Sequence, residues 1–94
     1  MSIKVYAKPG CIFCNKLDNL MIQFSIPYTK YELSSQKEID EIKNISKMST
    51  FPMVFIGTEC VGGYMDFLNL VMTNTLEEKL KANNINDINI PLLF

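Results

Sequence analysis

Histidine is absent from all 94 positions. A Cys–His protease pair, a histidine general base and the common histidine-containing zinc sites are therefore excluded. Chemistry has to come from cysteine or from carboxylates. Cysteines number three, and an odd count argues against a disulfide-stapled secreted scaffold. A reducing compartment, the cytoplasm, fits better. Charge of one sign is also missing: nine basic and ten acidic residues leave a net charge of −1. With no basic stripe and no polybasic cluster, neither nucleic acid nor a membrane surface is an expected partner. No apolar run approaches the roughly 20 residues of a membrane span. The opening Met1-Ser2-Ile3-Lys4 lacks the basic-then-apolar layout of a secretion signal. What is present is a 48% hydrophobic composition, enough for a core. The expectation is one domain over residues 1–94, with 83–94 as a C-terminal tail.

Cys11-Ile12-Phe13-Cys14 organises the chain. Two thiols stand three apart, after an apolar run (Ile3 to Ala7) and a Lys8-Pro9-Gly10 breaker, and an amphipathic helical pattern follows at once. The first sulfur then lies at the open amino end of a helix, where unpaired backbone N–H groups favour an anion. The thiolate is the form that attacks disulfides. The pattern reads as thiol–disulfide exchange, with Cys11 attacking and Cys14 resolving.

Ile3 to Ala7 is expected to be a strand. A helix over Ile12 to Phe24 carries Leu17, Leu20, Met21 and Phe24 on one face, and Ser25-Ile26-Pro27 stops it. Tyr28 to Leu33 reads as a second strand, parallel to the first across the helical crossover. Ser35 and Glu38 match a capping box before a helix striped by Ile39, Ile42 and Ile45. Met53-Val54-Phe55-Ile56 and Glu59-Cys60-Val61, joined by Gly57-Thr58, read as a hairpin. Gly62-Gly63 precedes a helix with Phe67, Leu68, Val71 and Met72 inward. Thr75 with Glu78 matches a second capping box before Leu76 to Ala82. The tail to Phe94 is irregular and rich in Asn and Ile.

Three motifs stand in one order: Lys8-Pro9-Gly10-Cys11-Ile12-Phe13-Cys14, Thr50-Phe51-Pro52-Met53-Val54-Phe55-Ile56, and Val61-Gly62-Gly63-Tyr64-Met65-Asp66. Together they resemble the glutaredoxin family, of the small dithiol type, across roughly Ile3 to Lys81. The resemblance implies an α/β, thioredoxin-like fold: a four-stranded mixed sheet of order 2-1-3-4 with helices on both faces. It implies a monomeric enzyme that reduces disulfides and glutathione mixed disulfides. Glutathione is then the electron donor and co-substrate, and no metal is expected. Its partners are disulfide-containing or glutathionylated proteins, ribonucleotide reductase being a common client of the family.

The resemblance assigns roles residue by residue. Cys11 is the nucleophile, and Cys14 closes a Cys11–Cys14 disulfide. Lys8 favours the thiolate and pairs with a glutathione carboxylate. Ile12 and Phe13 replace the common Pro-Tyr; both are expected to pack beside the sulfur, Phe13 keeping an aromatic wall without its hydroxyl. Thr50, Phe51 and Pro52 correspond to the family's T-V-P, whose cis proline lets an extended peptide pair with the Phe51 backbone. Gly63, Tyr64, Met65 and Asp66 fall where the γ-glutamyl end is held. Asp66 either meets the amine, caps the helix, or does both. Lys47, where relatives often have glycine, is as readily a substrate cation as a helix-end charge. Cys60 reads as a packing residue. Two other readings share these motifs: a redoxin fed by thioredoxin reductase, and a module binding an iron–sulfur cluster with the help of glutathione.

Overall fold

A computed structural model describes residues 3–85; the expected tail beyond Ile85 lies outside them. Strand β1 (Ile3–Ala7) alternates buried and half-buried positions, as a strand packed on two unequal faces should. Helix α1 (Ile12–Gln23) follows and buries Cys14, Leu17, Leu20 and Met21. It ends at Phe24, and Ile26 returns to the core with its N–H donated to the Met21 carbonyl (2.9 Å). Strand β2 (Thr29–Glu32) is exposed throughout, as an edge strand can be.

Helix α2 (Gln36–Ser46) starts at Ser35, whose hydroxyl accepts the Glu38 N–H (3.1 Å). The expected reciprocal contact takes another form: the Ser35 hydroxyl donates to the Glu38 carboxylate (3.0 Å). Only Ile42 of the isoleucine stripe is buried; Ile45 is 67% exposed and is not core. The periodicity located a helix face, but no neighbouring element covers its last turn.

Strands β3 (Met53–Ile56) and β4 (Glu59–Gly62) form the expected hairpin, with Gly57 at φ +63° in the turn. Helices α3 (Tyr64–Met72) and α4 (Leu76–Ala82) complete the chain. The second expected capping box is absent. Thr75 keeps helical backbone angles, so its hydroxyl does not reach the next turn; it pairs with the Thr73 hydroxyl (2.8 Å) instead. Lys79 (2.6 Å) and Asn83 (3.1 Å) both donate to Glu59, tying α4 to the hairpin. These two donors hold the Glu59 carboxyl below its ordinary range.

The sheet order is β2-β1-β3-β4, with β1 parallel to β2 and antiparallel to β3, and β3 antiparallel to β4. This is the thioredoxin-like arrangement expected. Alternation along β3 separates two cores. Val54 and Ile56 join α1, α3 and α4 in the larger one; Met53 and Phe55 join Ile42 and Leu33 in the smaller. Ala7 and Cys14 extend the smaller core to the end of the sheet where α1 begins. No helix among the described residues is long and apolar enough to cross a membrane.

Candidate active site

Cys11 is the N-cap of α1, and its side chain accepts the Cys14 N–H (3.1 Å). A backbone donor aimed at that sulfur favours its anion over its thiol. The first turn of α1 carries no acid to oppose this. The nearest acid along the helix, Asp18, is occupied by the Tyr28 hydroxyl (2.7 Å) and the Lys30 ammonium (2.8 Å). Cys11 and Cys14 are joined as a disulfide with Cα atoms 5.2 Å apart, so this is the oxidised protein. Cys14 is 2% exposed and Cys11 half-buried. The order of accessibility therefore matches the order of attack: the outer sulfur meets a substrate, and the inner one can reach only its neighbour.

Gly10 precedes the pair at φ +77° and turns the chain from β1 into the helix. The Phe51–Pro52 peptide is cis, as expected, and the Phe51 carbonyl oxygen lies 3.6 Å from Cys11 Sγ. A disulfide sulfur has no proton to give, so this is a contact and not a hydrogen bond. Opposite stands the start of α3. Asp66 accepts the Gly63 N–H (2.9 Å), its only hydrogen bond among the described residues. Gly63 has no side chain to return the bond, so the cap is one-sided. Both glycines are dictated by close approach. A Cβ on Gly62, at φ +118°, would lie 2.5 Å from the Asp66 carboxyl carbon, and one on Gly63 would lie 3.3 Å from the Pro52 carbonyl.

Between these walls runs a groove of about 410 Å³ beside Cys11. Eight of the nine side chains expected to meet glutathione line it: Phe13, Thr50, Phe51, Pro52, Gly63, Tyr64, Met65 and Asp66. Lys8 does not line it; its Nζ stands 5.7 Å from the Phe51 ring centroid, a cation above the groove's wall. Phe13 is 49% exposed and leans on Tyr64 with ring centroids 6.0 Å apart. Ile12 is exposed, so it does not pack beside the sulfur as expected. Lys47 lies away from the lining.

Met48 is the lining residue the sequence did not single out. Its place two positions before Thr50-Phe51-Pro52 was the available signal. Cys60 stands behind it, with its thiol donating to Met48 Sδ (3.5 Å). Burial pushes the Cys60 thiol above its ordinary pKa, which disfavours its thiolate, and the side chain packs against the smaller core.

Fold and site together define a dithiol redox protein: a paired sulfur at a helix start, faced by a cis-proline loop and a glycine-led helix. A profile of the glutaredoxin family matches residues 3–61. Glutaredoxin-2 of Schizosaccharomyces pombe is 31% identical, over 86% of this chain and 80% of its own. Bovine glutaredoxin-1 is 31% identical, over 84% and 81%. Among solved structures, the Brucella melitensis glutaredoxin superposes with a TM-score of 0.73 at 28% identity, covering 86% of this chain and 89% of its own. A buckwheat glutaredoxin–glutathione complex shares the fold, with a TM-score of 0.75 at 22% identity over 89% and 80%. The chain belongs to the glutaredoxin family. It is a glutathione-dependent thiol–disulfide oxidoreductase whose redox centre is Cys11–Cys14.

Proposed function

We propose that the groove beside Cys11 holds glutathione and that the preferred substrates are proteins carrying glutathione on a cysteine. The observation that carries this is the convergence of three separate sequence motifs on one groove of about 410 Å³ against the nucleophilic sulfur. In the reduced protein the Cys11 thiolate attacks the glutathione sulfur of a mixed disulfide. The S–S bond breaks, the client cysteine leaves as a thiolate and takes a proton, and glutathione remains bonded to Cys11. Resolution takes one of two routes. A second glutathione thiolate attacks the bound glutathione sulfur and yields oxidised glutathione plus free Cys11. Alternatively Cys14 attacks Cys11 Sγ, releases glutathione and leaves the disulfide seen in this structure. With a disulfide between two client cysteines, Cys11 bonds to one client sulfur and frees the other as a thiol; Cys14 then attacks Cys11 Sγ, frees the second client thiol and leaves the Cys11–Cys14 disulfide, which two glutathiones reduce to yield oxidised glutathione.

The groove and the Lys8 ammonium beside its Phe51 wall together suit both ends of a bound tripeptide. Asp66 and the N–H groups at the start of α3 suit the γ-glutamyl amine and carboxylate. Lys8 suits the glycyl carboxylate, and the Phe51 backbone offers an extended peptide a partner. The enzyme works as a monomer in a reducing compartment, the cytoplasm, a reading supported by the odd cysteine count that leaves Cys60 without a disulfide partner. Turnover of a small glutathione mixed disulfide, coupled to glutathione and its reductase, tests the proposal. Cys11→Ser should abolish it and Cys14→Ser should leave it measurable. Undiminished turnover in Cys11→Ser refutes the assignment, and turnover supported only by thioredoxin reductase refutes the donor.

A further inference from the structure

A second, larger groove of about 580 Å³ runs between α1 and α3, bounded by Lys16, Leu20 and Phe24 on one side and Tyr64, Leu68 and Met72 on the other. Tyr64 also lines the groove beside Cys11, so the two share a wall. Phe13 leans on Tyr64 at the junction, and Lys16 Nζ stands 5.0 Å from the Phe13 ring centroid. Both helices begin at the catalytic end. The lining from Lys16 to Phe24 and from Tyr64 to Met72 spans nine residues on each, about 12 Å for eight steps of helical rise. That length takes about four residues of extended chain. Leu20, Phe24, Leu68 and Met72 give the walls an apolar strip beside the polar Asn19 and Gln23, and among the described residues Met72 is 48% exposed. Among the described residues Lys16 is the one charged residue on the lining.

We propose that this groove receives the client polypeptide: an extended segment next to the reacting cysteine, bearing an apolar side chain and a carboxylate. The inference rests on the glutathione reading of the neighbouring groove. When glutathione fills that groove, the client half of the same mixed disulfide has to leave Cys11 in another direction. The α1–α3 channel starts one aromatic ring away. Its apolar strip takes an aliphatic side chain, and Lys16 at the catalytic end takes the carboxylate. Selection among clients then comes from Lys16, Leu68 and Met72, which lie outside the glutathione groove, with Tyr64 bordering both.

Two synthetic peptides glutathionylated on a single cysteine test this, one flanked by Leu and Glu and one by Gly and Ser. A small glutathione mixed disulfide serves as the reference. Wild type should show the lower KM for the Leu/Glu peptide. Met72→Glu should raise that KM about tenfold, the scale set by burying one apolar side chain, and leave the small substrate unchanged. Lys16→Glu should raise it as well, and should recover affinity when the peptide's Glu is replaced by Lys. Equal KM values for the two peptides in wild type, or variants that affect all three substrates alike, overturn the docking inference while the glutathione reading stands. A concentration-dependent dimer that Met72→Glu abolishes assigns the groove to a second copy and also overturns it. Failure of wild type on the small mixed disulfide sinks the glutathione reading, and the docking inference with it.

Discussion

Phe67 and Ile42 lie against opposite faces of the same sheet, and their surroundings differ. Phe67 is fully buried among aliphatic side chains from β1, β3, α1, α3 and α4. Ile42 is the single buried residue of α2, set among Leu33, Met53 and Phe55. The first core seals three helices to the sheet. The second holds one helix through Ile42, with half-buried Ile39 packed beside it, and it ends at Cys14 and Phe51, where the chemistry occurs. The two faces thus divide tightly held helices from a loosely held one, and the groove beside Cys11 is walled by the starts of the tightly held α1 and α3 and by the loop before β3.

The largest test of this division is paired truncation. Phe67→Ala should cost about 4 kcal/mol, because α3 and the sheet cannot both collapse onto the void. Ile42→Ala should cost about 2 kcal/mol, since an exposed helix can settle into the space. Denaturant unfolding of the two variants measures the gap. Equal losses would show the faces to be one cooperative core.

A second pair compares two glycines of positive φ. Gly62→Ala drives a Cβ into the Asp66 carboxyl group, whereas at Gly10 no atom lies within 4 Å of the added carbon. Gly62→Ala should cost about 2–3 kcal/mol, combining backbone strain with the lost Asp66–Gly63 bond. It should also raise the KM for glutathione. Gly10→Ala should cost about 1 kcal/mol from backbone strain alone. A glutathione KM unchanged by Gly62→Ala would remove Asp66 from the binding groove.

On the sealed side, Tyr28 packs against the larger core and donates to Asp18 (2.7 Å). Its phenol is pushed up to about 12, first by burial, then by the hydrogen bond to Asp18 and that group's charge. The folded state therefore favours the neutral phenol. That contribution is fully present below the ordinary tyrosine pKa near 10 and is lost as pH rises through about 12. Tyr28→Phe should cost about 1 kcal/mol at neutral pH and flatten the loss of stability between pH 10 and 12. Tyrosinate absorbance against pH checks it: a phenol titrating near 10 in the folded protein would contradict the sealed environment.

The same contrast explains what the sequence could and could not say. Strands β1 and β3 and the large-core stripe of α1 were legible because dense burial leaves a clear period: Leu17, Leu20 and Met21 have one environment and one composition. The thiol pair was legible because a breaker, two cysteines and a helix start are all local. Ile45 misled because periodicity marks a face without saying whether anything covers it. Thr75 misled because a capping box depends on the backbone angles of the cap residue, which composition does not carry. Met48 escaped because a methionine before a turn has no pattern of its own; the fold folds it back over the groove. Asp66 was legible as an acid that meets the amine, caps the helix, or does both, and its bond to the Gly63 N–H is the capping half of that reading.

The smallest effect should come from Lys47, which ends α2 in the left-handed conformation at φ 62°, ψ 18°. Any residue with a Cβ pays roughly 1–2 kcal/mol there. Glycine avoids this penalty but loses more freedom on folding, roughly 0.5–1 kcal/mol. Removing the ammonium also forfeits a few tenths of a kcal/mol at a helix C-terminus. The net expectation for Lys47→Gly is a gain of about 0.5 kcal/mol, or about 2–4 °C in Tm, confined to the weakly held face. Because Lys47 lies off the groove lining, glutathione KM should not change. A KM that rises severalfold while Tm also rises would make Lys47 a cation for the substrate, and would mean that the conformation is retained at a cost for binding. An unchanged KM with the higher Tm leaves it a helix-end residue, and leaves Lys8, above the Phe51 wall, as the cation offered to the glycyl carboxylate.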